Sequence, residues 1–224
     1  MIQDREELRD FLLRACHDLR SPLRAVTVHA ELLQRSAEKN GDLQQSLTFV
    51  TDGARTVNSL VDALARYALS LQVEPSPAPI STGTLLRSVL AKSAPEIQAS
   101  GAEVTYGDLP RVSGDPDRLM QLLEDLLRNA IRHSAGAPPR VHISARAEED
   151  KWIFAVRDEG PGIDPRDLER IFRPFERLRP GPDGSGLGLA SCREIVAGHG
   201  GRIWAESETG QGTTIYFSLP RSES

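Results

Sequence analysis

From Leu43 the apolar positions advance by alternating steps of four and three residues: Leu47, Val50, Ala54, Val57, Val61, Leu64, Ala68 and Leu71. Steps of that size return to one face of an α-helix, and over about four heptads they predict a long helix with a bundle-type seam. A less regular stripe through Leu8, Leu12, Ala15, Leu19, Val26, Ala30 and Leu33 predicts a helix before it. Between the two, Glu38-Lys39-Asn40-Gly41-Asp42 offers Asn and Gly to stop the first helix and Asp42 to cap the second. The product is a helical hairpin. Two helices alone enclose a thin core, so pairing with a second hairpin into a four-helix dimer completes it.

The pattern changes at Pro75-Ser76-Pro77-Ala78-Pro79, a proline-rich segment that marks a domain boundary. The predicted organisation is a hairpin over 1–74, a linker over 75–82 and a second domain over 83–224. In that domain Thr84 to Ser100 reads as helix, Glu103 to Tyr106 as a short strand, and Pro116 to His133 as helix. Val141–Ala145 and Trp152–Val156 read as paired strands, and Leu187 to His199 as a helix opened by glycines. Arg202–Glu206 and Thr213–Leu219 form a last hairpin around a Thr-Gly-Gln-Gly turn. Helices and antiparallel hairpins in this order predict an α+β fold in which helices cover one face of a sheet.

Composition narrows the function classes. Of 224 residues, 39% are hydrophobic and 26% charged, the balance of a globular chain, and the formal net charge of −5 supplies no general attraction to nucleic acid or anionic lipid. Cys16 and Cys192, the two cysteines, lie far apart, which argues against a disulfide framework or a zinc site and for a reducing compartment. No segment approaches the ~20 apolar residues of a membrane span, so the expectation is a cytoplasmic protein, or the cytosolic portion of a larger one, without membrane contact.

Candidate chemistry is concentrated in four places. In Cys16-His17-Asp18-Leu19-Arg20-Ser21-Pro22-Leu23, helical spacing puts His17 nearly opposite the Leu8–Leu12–Ala15–Leu19 stripe, facing solvent. A neutral imidazole held in one tautomer is a good nucleophile, and Asp18 beside it can orient the ring or take its proton. Asp158-Glu159-Gly160-Pro161-Gly162-Ile163 sets a carboxylate at a strand end, suited to accept from an amino group such as that of adenine, before glycines that admit a ligand close to the backbone. Gly184-Ser185-Gly186-Leu187-Gly188-Leu189 runs into a helix, where backbone donors and the helix dipole favour phosphate. On the helix after Pro116, Asp125 and Asn129 share one side where both can approach a cation, and Arg132 can reach a phosphate.

The ordered set HDLRSPL, DLLRNAIRHS, DEGPGI, IFRPFERL and GSGLGLA resembles the H, N, G1, F and G2 boxes of the sensor histidine kinases of two-component systems, and GGRIWAESETGQGTTIYFSLP resembles their closing hairpin. The resemblance implies a dimerising hairpin followed by an ATP-binding α/β sandwich of the histidine kinase and gyrase type. It implies ATP and Mg²⁺ as ligands, autophosphorylation of His17 with Asp18 as acidic partner, and onward transfer to an aspartate on the receiver domain of a response regulator. It implies that Asn129, with Asp125 nearby, holds Mg²⁺ and that Arg132 and His133 lie beside the phosphates. Asp158 would bind the adenine amino group, with Gly160, Gly162 and Ile163 shaping the floor and Thr213 near the base. Gly184, Gly186, Leu187 and Gly188 would wrap the phosphates, Arg177 would steady the transferred phosphoryl group, and the segment from Arg177 to Gly184 would be a lid. Two positions depart from the pattern: Asp125 stands where most members carry asparagine, and Ser21 where phosphatase-competent members carry Thr or Asn.

Overall fold

A computed structural model describes residues 8, 9, 12, 13, 16, 17, 19, 20, 23, 24, 26–31, 33, 41–71, 78–133, 138–178 and 185–221. The chain divides into two units, one holding the residues up to Leu71 and the other nearly all of those from Gln72 onward.

In the first unit the described positions between 8 and 33 are all helical (α1), and α2 runs Gly41–Ser70. The seam of α2 splits in a regular way. Leu47, Ala54, Val61 and Ala68, one heptad apart, are buried, whereas Val50 and Val57 are exposed. In α1 the expected stripe holds in part: Ala30 is buried and Leu12 half-buried, but Leu8, Leu19, Val26 and Leu33 are exposed, and Cys16, outside the stripe, is buried. Apolar residues occupy more than one face of α1, and a single hairpin partner covers only one of them. Polar bonds tie the two helices: Asn58 Nδ2 donates to Thr27 Oγ1 at 3.3 Å, and the exposed ion pairs Arg20–Asp62 at 2.9 Å and Arg55–Glu31 at 3.2 Å flank it. Such exposed pairs contribute about 0–1 kcal/mol each.

In the second unit β1 (Ala78–Ser81) and β3 (Arg111–Gly114) form an antiparallel ribbon, so the expected linker over 75–82 contains a strand. The expected helix over 84–100 is two helices, α3 (Thr82–Lys92) and α4 (Ala94–Ser100). Pro95 lies in the first turn of α4; it has no N–H to continue the α3 ladder and disfavours helical geometry just before it. Strands β2 (Glu103–Tyr106), β4 (Arg140–Glu148), β5 (Lys151–Asp158), β6 (Ile203–Ser207) and β7 (Thr213–Pro220) make one sheet in the order β2-β4-β5-β7-β6. The β2–β4 pair is parallel and the others are antiparallel.

Helix α5 (Pro116–Arg132) begins at Asp115, whose side chain accepts from the Asp117 and Arg118 amides, with Pro116 at the first turn. Its Leu119, Leu122, Leu123, Leu126, Leu127 and Ala130 are buried. They pack with α3, α6 (Gly188–Gly198) and the inner sheet face, where Phe154 and Phe217, paired across β5 and β7, stack at 4.8 Å. Replacing one of these leucines by alanine costs about 2–5 kcal/mol. Among the described residues no helix is long and apolar enough to cross a membrane.

Candidate functional site

Three strand ends meet at the heart of the second unit. Asp158 is opposite Thr213 across β5 and β7, and Thr213 is opposite Ser207 across β7 and β6. The Asp158 side chain is buried, and its Oδ1 accepts from the Gly160 amide at 2.8 Å and the Thr213 amide at 3.2 Å. Burial raises the Asp158 carboxyl above its usual range, and the two amide bonds pull the other way. Both bonds fall on Oδ1, so Oδ2 has no hydrogen bond among the described residues and is left for an incoming donor.

The loop after Asp158 is held against the β6–β7 turn. Ile163 N donates to Ser207 Oγ at 2.8 Å, and Gly210 N donates to Pro161 O at 2.7 Å. Gly162 has φ +70°, and a Cβ there would stand 2.1 Å from Glu208 O, so only glycine fits. Gly160 lies against the end of α5, where a Cβ would come within 2.6 Å of His133 O.

One side of α5 faces this region. Asn129 is half-buried and Arg132 and His133 are exposed in its last turn. Asp125 is buried, one turn earlier, with Oδ1 3.5 Å from Arg128 Nη1. A Cβ on Gly188, the first residue of α6, would be 4.0 Å from the Asp125 Cβ. The start of α6 is therefore beside Asp125. Leu187 is buried and anchors that start. Gly186 has φ +71° and accepts the Phe175 amide at 2.9 Å, which holds the segment after the short 3₁₀ turn Arg170–Phe172 beside α6. Phe175 itself is left-handed at φ 63°, a costly conformation for a residue with a Cβ. Arg177, two residues on, is exposed.

His17 is exposed on α1, in the first unit, while the residues above belong to the second. Cys16 beside it is buried. Asp18, Ser21, Pro22, Gly184 and most of the expected lid lie outside the described residues.

Among the described residues no group of three or more His, Cys, Asp and Glu is arranged to hold a metal. Mg²⁺ is typically bound by one or two protein oxygens together with substrate phosphates rather than by a protein cage. The Asn129 side-chain oxygen, with Asp125 one turn away, is a donor set of that hard kind.

Sequence reasoning missed three features of this site. Ser207 joins the Asp158 loop to the β6–β7 turn, but nothing in the spacing of the closing segment marks it. Phe175 joins the segment after Phe172 to Gly186, and no residue type announces its left-handed backbone. His199, just past α6, accepts the Asp115 amide at Nε2 (2.9 Å) and donates from Nδ1 to Ile195 O (2.7 Å), tying α6 to the cap of α5.

Comparison with known proteins shows the family. Residues 7–69 match the family described as His Kinase A (phospho-acceptor) domain, and residues 114–223 match Histidine kinase-, DNA gyrase B-, and HSP90-like ATPase. The phytochrome-like protein Cph1 of Synechocystis sp. is 36% identical over 221 residues, covering 96% of this chain and 29% of the relative. The methanogenesis regulatory histidine kinase FilI of Methanothrix harundinacea is 34% identical over 219 residues, covering 96% of this chain and 25% of the relative. The crystal structure of full-length ShkA in complex with AMPPNP aligns with TM-score 0.73 and 30% identity, over 94% of this chain and 45% of that one. The chain thus spans less than a third of the length of these two curated relatives. A phospho-acceptor domain with an exposed helical histidine, joined to an ATPase-type domain over nearly the whole aligned length, settles the family: the chain belongs to the sensor histidine kinases, of which it carries the catalytic core.

Proposed function

We propose that this chain transfers the γ-phosphoryl group of ATP to its own His17 and then to an aspartate on a response-regulator receiver domain. The observation that carries the reading is the coexistence, in one chain, of an exposed helical histidine at 17 and a buried carboxylate, Asp158, with one oxygen left for a base amino group. An ATPase without a phospho-acceptor has no use for the first. ShkA, the structural neighbour described above, binds the ATP analogue AMPPNP.

In this reading Asp158 accepts from the adenine amino group, Gly160, Gly162 and Ile163 form the floor and Thr213 lies beside the base. Gly184, Gly186, Leu187 and Gly188 offer backbone donors to the phosphates at the start of α6, where the helix dipole favours anions. Mg²⁺, when bound, supplies positive charge against the triphosphate, and Asn129, with Asp125 nearby, is the site that holds it. Arg132 and His133 flank the phosphates. A His17 ring nitrogen forms the new N–P bond as the bond from the γ-phosphorus to the β,γ-bridging oxygen breaks. ADP leaves with that electron pair, Asp18 takes the proton from the opposite ring nitrogen, and Arg177 steadies the transferred group. The phosphoryl then passes from nitrogen to a carboxylate oxygen of the regulator. Val50, Val57 and the other exposed apolar residues of the hairpin are covered by a second copy, making the active form a homodimer.

The test is incubation with γ-labelled ATP followed by acid and base treatment. Wild type retains acid-labile, base-stable label, and His17→Ala retains none while binding ATP with little change. Label persisting on His17→Ala, or steady hydrolysis with no label on wild type, would defeat the assignment.

A further inference from the structure

The Ser207 hydroxyl is fully committed. Its proton goes to Gly212 O, 2.7 Å away, because a carbonyl can only accept. One lone pair takes the Ile163 amide at 2.8 Å. The other faces Thr213 Oγ1 at 3.0 Å. With its one proton already given, Ser207 can only accept from Thr213, so the Thr213 hydroxyl proton points at Ser207. The direction of the whole chain then follows: Thr213 donates to Ser207, which donates to Gly212 O. Thr213 Oγ1 keeps only lone pairs for any other partner. Its neighbour Asp158, whose Oδ1 already takes the Thr213 amide, likewise offers only acceptor oxygens when ionised.

We infer that Ser207 is a positioning residue for base selection: by fixing the direction of the Thr213 hydroxyl it makes the Asp158–Thr213 edge acceptor-only, and so favours a 6-amino purine over a 6-oxo one. This rests on the nucleotide reading of the site given above. A 6-amino group brings two N–H donors to two oxygens able to receive them. A carbonyl at the same place meets lone pairs with no donor to offset its lost hydration, a mismatch that polar sites discriminate strongly. Without Ser207 the Thr213 hydroxyl is free to turn and donate, and the edge discriminates less sharply, with only Asp158 still opposing a carbonyl. Ser207 reaches the ligand only through Thr213.

A merely structural role would act differently. Ser207 also holds the Ile163 amide, so its loss can loosen the loop and weaken every nucleotide alike. The discriminating quantity is therefore the ratio of affinities for ATP and inosine triphosphate, which differ at the 6-position and in the ring nitrogen beside it. The full chain is titrated calorimetrically with each nucleotide and Mg²⁺ at pH 8. Wild type prefers ATP; in Ser207→Ala that preference falls by about tenfold, the factor carried by the ~1.4 kcal/mol of one hydrogen bond. Thr213→Val, which removes the hydroxyl at nearly constant shape, lowers the preference by a similar factor, and the double variant lowers it no further. An equal loss of both affinities in Ser207→Ala overturns the inference, as does an unchanged preference in Thr213→Val should Ser207→Ala fail to fold. If wild type binds neither nucleotide, the nucleotide reading itself fails, and that result is distinct from either of the others.

Discussion

Gly160→Ala probes the join between the carboxylate loop and the end of α5. Gly160 does not have a left-handed backbone, so alanine meets no conformational penalty there; what it meets is its surroundings. An added Cβ would come 2.6 Å from His133 O and 2.8 Å from Asp158 Oδ1, against the 3.4 Å at which ordinary contact begins. About 0.8 Å must therefore open between the loop and a helix whose inner face is packed into the core, an overpacking that costs about 1–3 kcal/mol. For a unit of this size about 2 kcal/mol lowers the melting temperature by roughly 4–8 °C. The opening also moves the amide that holds Asp158 Oδ1, so ATP affinity falls more steeply than stability alone requires. Gly210→Ala is the control. It lies on the same turn system, with nothing within 4 Å of its Cβ but a φ of +85°, so it bears only backbone strain of about 1 kcal/mol. Scanning calorimetry and ATP titration of both variants decide the matter. If Gly160→Ala melts no earlier than Gly210→Ala and binds ATP as wild type does, the contact between the loop and α5 is not the constraint described.

The dimer prediction follows from Val50, Val57 and Leu60 lying open on α2: light scattering at micromolar concentration should report about twice the 24.5 kDa chain mass, and a monomer throughout that range would contradict it. His199 predicts an acid-side loss of stability. Burial lowers its pKa below 6.5, helped by Arg118 and opposed by the Ile195 carbonyl and Asp115, so the unfolded chain binds the proton more readily than the folded one. The stabilisation is complete above pH 6.5 and is lost as the pH falls from there through the folded-state pKa, with a limiting slope of about 1.4 kcal/mol per pH unit. Denaturant melts at pH 7.5 and 5.5 should differ more for wild type than for His199→Gln, whose amide oxygen can still accept from Asp115 N; equal differences would refute it.

The parts legible in the sequence are those whose physics is local. A four-three apolar step dictates α2 because a long helix has no other way to present one face. Pro116 announces α5 at its observed start, and the expected end at His133 lies within one residue of Arg132. Gly162 reads in sequence as admitting a ligand close to the backbone, whereas the close neighbour in the structure is the chain's own Glu208 O. The misses are non-local. The α1 stripe reads as one face until α2 chooses which side to cover, and that choice leaves Leu8 and Leu19 outside. Strand β1 begins within the proline-rich segment that reads as a linker, and it exists because it pairs with β3.

Ser207 shows why a site can be named from sequence and still not be explained by it. The family resemblance implies a carboxylate, a threonine and two glycine turns near a base, but not the direction of any hydrogen bond among them. That direction follows from counting protons and lone pairs around one hydroxyl. Gly212 O can only accept and the Ile163 amide can only donate, so the single ambiguous bond, to Thr213, is forced. The side chain that contacts a ligand is then constrained by a neighbour that does not. A substitution at 207 should therefore change which nucleotide is preferred, whereas a substitution at Gly160 should change how tightly any nucleotide is held.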